Sequence, residues 1–158
     1  TQLIARRIRE LNIYCEIFPY NKAPKNIENF KGLILSGSPF SVHDVEAPSV
    51  NLEEFKNIPI LGICYGAQMV AKISGCDVLK SEIREYGRAK LNYVDRSSLI
   101  LDGVKSNSDV WMSHGDSIKN NKDILEVIAS TDDVEVASYS IKKNNFYTIN
   151  LYYNFLIF

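Results

Sequence analysis

Residues 60–68 read ILGICYGAQ, an apolar run that ends in the pattern Gly-x-Cys-x-Gly. A short apolar run without alternation suits a strand that is covered on both faces, as in a parallel sheet. The next residues predict a short apolar helix over 67–74, ended by Gly75, because glycine is favoured just past a helix end. A glycine-flanked nucleophile between a strand and a helix is typical of a sharp, strained turn above a sheet edge. Cys64 occupies the nucleophile position of that pattern.

The helix behind Cys64 favours a reactive thiol. A helix N-terminus carries partial positive charge, which favours the thiolate over the thiol. The backbone N–H of Tyr65 is then expected to point to the place where an oxyanion would form. The alternative is that Cys64 is a buried core residue and that Gly62 and Gly66 mark an ordinary turn. The position between a strand and a helix favours the nucleophile.

A second apolar run, residues 32–35, ends in Gly37-Ser38-Pro39. A small residue followed by proline fixes a loop whose N–H groups are placed to supply a second oxyanion donor. By itself this sequence is a common turn. A role as oxyanion donor is favoured here because the turn follows a strand that we expect to lie beside the strand of Cys64.

The rest of the chain predicts one further helix and several short strands. Residues 1–11 place their apolar side chains on one helical stripe, and residues 13–18 predict a strand. The second half predicts short strands at 89–94, 110–112, 125–129, 134–138 and 146–151. We therefore expect an α/β fold: an open, mostly parallel central sheet with flanking helices and a smaller antiparallel extension.

Composition indicates the class of protein and excludes some partners. The 158 residues are 46% hydrophobic and 23% charged, which predicts one globular domain over residues 1–158. A formal charge of −1 gives no basic surface for nucleic acid or an anionic membrane, so neither is an expected partner. Three cysteines and no leader-like start favour a reducing, cytoplasmic location. Cys15 and Cys76 are expected to be small core residues, and the spacing of the cysteines fits no metal site.

Five segments together resemble the glutaminase domain of GMP synthetases, one branch of the class I glutamine amidotransferases. In order they are TQLIARRIRE (1–10), ILSGSP (34–39), LGICYGAQ (61–68), REYGRA (84–89) and WMSHGD (111–116). The tyrosine after the cysteine and the last two segments separate this branch from the carbamoyl-phosphate, CTP and anthranilate branches. The resemblance covers about residues 1–145.

The resemblance implies a specific reaction. Members of this family hydrolyse glutamine to glutamate through a thioester on the cysteine, and the ammonia passes to an ATP-dependent synthetase domain or subunit that aminates XMP to GMP. It implies that Cys64 is the nucleophile, that the Ser38 and Tyr65 amides form the oxyanion hole, and that Gly37 and Gln68 contact substrate glutamine. Ser38 stands where the family usually has a second glycine. The glutaminase part needs no cofactor, since ATP and magnesium belong to the synthetase domain.

The late strand departs from the family pattern. The family carries a histidine and a glutamate there, and the aligned positions hold Tyr152 and Asn154. A phenol, with an ordinary pKa of about 10, is a poor base at neutral pH, and an amide has no charge to stabilise an imidazolium. His43 is expected to be an exposed loop residue, and His114 belongs to the WMSHGD segment.

These departures leave three interpretations open. The chain is the glutaminase part of a GMP synthetase, or a catalytically inactive binding module that lacks the family histidine and glutamate, or a thiol hydrolase of another kind. With these residues, the chain is expected to be a poor glutaminase. The resemblance also predicts a first strand before Thr1 that this sequence lacks, and residues 146–158 form a divergent tail in which six of 13 residues are aromatic.

Overall fold

The computed structural model describes residues 1–142, 146–149 and 152–153, with the backbone alone for 81–86, 113–114 and 152–153. The described α-helices are α1 (Gln2–Glu10) and α2 (Tyr65–Ile73), and neither is long and apolar enough to cross a membrane. Short 3-10 turns occupy Tyr20–Lys22, Leu52–Phe55 and Leu99–Leu101. The strands are β1 (Leu33–Leu35), β2 (Ile60–Ile63), β3 (Val78–Val94), β4 (Asp109–Ile118), β5 (Leu125–Thr131), β6 (Ser138–Ile141), β7 (Phe146–Ile149) and β8 (Tyr152–Tyr153).

The described strands form one mixed sheet in the order β1-β2-β7-β6-β5-β3-β4-β8. Strands β1, β2 and β7 run parallel, with Leu35 opposite Gly62 and Ile63 opposite Ile149. The other pairs in the described part are antiparallel. This confirms the predicted α/β class, because parallel strands surround the strand of Cys64 and an antiparallel extension continues the sheet.

Helix α2 lies inside the core of the protein and not at the protein surface. Seven of its nine residues are buried, as expected for a helix that is apolar on most sides. It packs in a cluster that includes Phe55, Ile60 and Tyr139. The Tyr139 hydroxyl donates a hydrogen bond of 2.6 Å to the Ala67 carbonyl, and burial raises the pKa of this phenol. The first turn of α2 is therefore fixed to β6 by a donor that stays protonated.

The end of α2 follows the sequence prediction. Gly75 has φ +92°, a left-handed conformation that glycine adopts without steric cost. Its amide donates to the Lys72 carbonyl, and the amide of Cys76 donates to the Ala71 carbonyl, at 3.1 and 2.9 Å. These two bonds form a Schellman motif, which satisfies the last carbonyls of the helix.

The predicted strand over residues 13–18 is wrong. The segment has no strand pairing within the described chain, and Ile13 and Tyr14 are 57% and 84% exposed. An alternating apolar pattern favours an extended backbone, but a strand also needs partners for its N–H and C=O groups. Here the segment lies along α1, where the Cys15 thiol donates to the Ala5 carbonyl.

The strand expected over 134–138 begins later than predicted, at Ser138. The Thr131 amide donates to the Val134 carbonyl at 2.9 Å, which closes a tight turn between β5 and β6. Val134 and Val136 are buried in this connection. These two valines are therefore apolar because they are buried in the core, and not because they lie on a strand.

Candidate active site

Cys64 lies at a strained turn between β2 and α2. Its backbone has φ 54° and ψ −113°, a conformation that costs a non-glycine residue about 1–3 kcal/mol. Its amide donates to the Ile149 carbonyl of β7 at 2.9 Å, and its carbonyl accepts from the Ala67 and Gln68 amides. The neighbouring strand and the first turn of α2 thus hold Cys64 in the conformation that the Gly-x-Cys-x-Gly pattern predicts.

The two glycines of the pattern allow this turn to pack. A Cβ atom on Gly66 would lie 2.2 Å from the Leu35 carbonyl oxygen, and one on Gly62 would lie 2.9 Å from the Gly66 oxygen. Real Cβ atoms essentially never come that close to other atoms. Glycine at position 66 therefore lets the start of α2 pack directly against the end of β1, and glycine at position 62 lets it pack against β2.

The predicted oxyanion donors lie on the two segments that meet here. Tyr65 is the first residue of α2, and the first N–H groups of a helix have no acceptor within the helix. Ser38 follows β1 by three residues, and its hydroxyl accepts from the Phe40 amide at 3.3 Å. Because β1 ends beside β2 and against Gly66, Gly37 and Ser38 leave the sheet at the same edge as Cys64.

The side chain of Tyr65 ties α2 to the loop that follows β1. Its hydroxyl donates to the Pro48 carbonyl at 2.6 Å. Burial raises the pKa of this phenol, so the hydroxyl stays protonated as a donor at neutral pH. Tyr65 thus begins α2 and holds the neighbouring loop through its side-chain hydroxyl.

Gln68 is buried between α2 and β4. It is 3% exposed, and its side-chain Nε2 donates to the Asp116 carbonyl at 3.0 Å. One turn of helix separates it from Cys64, the residue that precedes α2. Its predicted contact with substrate glutamine stays a prediction.

The position aligned with the family histidine lies at the end of the described chain, and the position aligned with the glutamate lies outside it. The backbone of Tyr152 lies on β8, opposite Trp111 of β4. The side chain of Tyr152 and the whole of Asn154 lie outside the described residues, as does the side chain of His114.

His43 is an exposed loop residue, as the sequence predicts. Its Nε2 lies 2.7 Å from the Val78 carbonyl oxygen. A carbonyl only accepts hydrogen bonds, so this nitrogen carries the proton. The ring is directed toward β3 by this bond.

Sequence reasoning missed the role of Asp116 and Ser41. Asp116 is 4% exposed, and its carboxylate accepts a hydrogen bond from the Ser41 hydroxyl at 2.7 Å. The two residues are 75 positions apart, so no local pattern could have joined them. In the described part of the chain, no group of three or more His, Cys, Asp or Glu side chains is arranged to hold a metal ion.

The family model of class-I glutamine amidotransferases matches residues 1–149. The chain therefore belongs to this family. Its relatives point to one branch: the glutamine-hydrolysing GMP synthase of Cytophaga hutchinsonii is 50% identical over 153 residues, which are 96% of this chain and 30% of that protein. A GMP synthase of Bacteroides thetaiotaomicron is 52% identical over 143 residues, covering 90% of this chain and 28% of that protein.

Solved structures agree with this assignment. A Thermoplasma acidophilum protein described as a candidate subunit of GMP synthase is 30% identical, with a TM-score of 0.75 over 92% of this chain and 74% of that one. A glutamine amidotransferase of Thermotoga maritima shares the fold, with a TM-score of 0.76 at 18% identity over 95% of this chain and 69% of that one. The chain is thus homologous to the glutaminase region of GMP synthases, and it spans about 30% of the length of the Cytophaga relative.

Proposed function

We propose that this chain is the glutaminase module of a cytoplasmic, glutamine-hydrolysing GMP synthase. It would release ammonia from glutamine for the ATP-dependent amination of XMP to GMP by a synthetase domain or subunit, which would hold the ATP and magnesium. The observation that carries the proposal is the backbone of Cys64, a non-glycine residue at φ 54° at the first turn of α2. Strain of this kind persists where the surrounding structure enforces it, and it concentrates at active sites.

The proposed reaction uses the thiolate of Cys64 as the nucleophile. Sulfur attacks the carbonyl carbon of the glutamine side-chain amide, and the carbonyl oxygen becomes an oxyanion that the Tyr65 and Ser38 amides would stabilise. The C–N bond then breaks, the nitrogen takes a proton from water and leaves as ammonia, and a γ-glutamyl thioester remains. Water hydrolyses the thioester to glutamate and returns the thiol. Gly37 and Gln68 are proposed to contact the substrate.

Protection of Cys64 by substrate tests this proposal. We expect L-glutamine to slow the alkylation of Cys64 by iodoacetamide, because the bound amino acid would cover the thiol. L-Asparagine, which is one methylene shorter, should protect far less, since its amide would not reach the sulfur from the same site. Peptide mapping by mass spectrometry measures the rate at each cysteine.

Cys76 provides the internal control. It is buried like Cys64 but follows the end of α2 rather than preceding its start. Burial raises the pKa of the Cys76 thiol, so its thiolate fraction is small at pH 7 and its alkylation should accelerate as pH rises. Glutamine should not change that rate. Equal protection by asparagine and glutamine, or none by either, would contradict the proposed substrate.

A further inference from the structure

The loop after β1 depends on side-chain contacts for its position. This segment, residues 36–48, is called here the Ser38 loop. It contains no helix or strand although every residue in it is described. Since no backbone ladder fixes it, the placement of the Ser38 amide relative to Cys64 depends in part on bonds between the loop and the elements around it.

Two of these bonds join the Ser38 loop to β4. The Ser41 hydroxyl donates to Asp116 Oδ2 at 2.7 Å, and the Val42 amide donates to the same oxygen at 3.3 Å. Asp116 is only 4% exposed. Hydrogen bonds to a carboxylate are stronger than bonds between neutral groups, and burial strengthens them further.

The same aspartate is joined to the nucleophile helix. Its backbone carbonyl accepts the Gln68 side chain at 3.0 Å. From the other side, the Lys72 ammonium of α2 donates to the Val42 carbonyl at 2.5 Å. The Ser38 loop, α2 and β4 therefore each contact the other two. Asp116 makes the contacts of β4 with both the loop and the helix, and Ser41 supplies the loop side chain that binds the Asp116 carboxylate.

From this arrangement we propose that Ser41 is a positioning residue for the glutaminase reaction. Its hydroxyl ties the Ser38 loop to the Asp116 carboxylate and thereby sets the distance between the Ser38 amide and the carbon that Cys64 attacks. The proposal rests on the proposed function, because it assigns Ser41 a task in that reaction. Ser41 itself touches no reacting atom.

Removal of the Ser41 hydroxyl should loosen the loop without unfolding it. The Ser41 amide would still donate to Asp44 Oδ2 at 2.8 Å, and the His43 ring would still bond to Val78. The Lys72 contact to Val42 also remains. A displacement of about 1 Å at a catalytic group is enough to cost about 100-fold in rate, so a partial shift of the Ser38 amide should cost about 10- to 100-fold.

Two electrophiles separate positioning from thiol reactivity. Iodoacetamide alkylates Cys64 by displacing iodide and forms no oxyanion. L-γ-Glutamyl-p-nitroanilide, in contrast, acylates Cys64 through an oxyanion. The S–C bond forms, the C–N bond breaks, and p-nitroaniline leaves with a proton from water. The rate of the p-nitroaniline burst from the full chain measures acylation of Cys64 through the oxyanion. The rate of alkylation measures the reactivity of the Cys64 thiol alone.

We expect Ser41→Ala to lower the p-nitroaniline burst rate by about 10- to 100-fold and to change alkylation of Cys64 by less than about twofold. Ser41→Thr keeps the hydroxyl and should recover most of the burst. The matched control is Ser97→Ala, because Ser97 also donates to an aspartate, Asp95, at 2.8 Å, but in an exposed turn. It should leave both rates unchanged.

The outcomes are distinct. A Ser41→Ala burst equal to that of the parent, or an equal loss of burst and alkylation, overturns the positioning role. Failure of Ser41→Thr to recover the burst in a chain with parental circular dichroism also overturns it. A parent chain that is alkylated at Cys64 but gives no burst contradicts the proposed function itself, and the Ser41 proposal falls with it.

Discussion

Replacing Tyr152 by His and Asn154 by Glu should raise glutamate release by about 10²- to 10⁴-fold, the usual contribution of a general base. An imidazole near Cys64 would take the thiol proton and later give a proton to the leaving ammonia, and a carboxylate would orient the ring. The parent chain, with a phenol and an amide at these positions, is expected to turn glutamine over slowly. Glutamate is measured at matched folded fraction, because small differences in folding would otherwise be read as activity.

A neighbouring substitution controls for the added histidine. Tyr153→His with Asn154→Glu has the same composition but moves the histidine one position away from the aligned one, so it should gain little. Substantial turnover by the parent would mean that another group acts as the base. No gain in a folded Tyr152→His, Asn154→Glu chain would mean that the alignment of the late strand is in the wrong register.

Gly66→Ala should destabilise the fold by about 3 kcal/mol, the upper end of the usual cost of overpacking. The added methyl would lie 2.2 Å from the Leu35 carbonyl oxygen and 2.8 Å from the Leu35 Cβ. The first contact is with backbone, which cannot swing aside as the end of a long side chain can. Relief would require β1 and α2 to separate at the point where Cys64 is presented.

Urea unfolding of the purified chain measures this effect. Gly115→Ala is the matched control, since a Cβ atom there meets nothing within 4 Å, and it should change the free energy of unfolding by less than about 0.5 kcal/mol. The Gly66→Ala chain should also lose Cys64 acylation, because the turn would move. If both variants unfold at the same urea concentration, the close approach of α2 to β1 is not a constraint on the fold.

The sequence predicted those features that depend on neighbouring residues. The turn at Cys64 follows from one apolar strand, two glycines and one short helix, all within 15 residues, and Gly75 ends that helix through its own backbone freedom. These features need no distant partner, which is why a local pattern was sufficient to predict them.

Features that depend on distant partners were missed. Residues 13–18 have the composition of a strand, but whether they form one depends on a neighbouring backbone. The Ser41–Asp116 bond joins residues 75 positions apart, and its donor is an ordinary serine in a polar loop. The boundary of β6 was displaced because Val134 and Val136 are buried in a turn, where apolar residues resemble those of a strand.

The central claim is that Cys64 is the nucleophile of a γ-glutamyl transfer, and the site of adduct formation tests it most directly. The chain is treated with 6-diazo-5-oxo-L-norleucine, a glutamine-like electrophile, and the modified cysteine is located by peptide mapping. A single adduct on Cys64, absent from Cys64→Ser and suppressed by excess glutamine, is the result that the account predicts. Equal or faster labelling of Cys15 or Cys76 would contradict it, because neither lies at the start of a helix beside the end of two parallel strands.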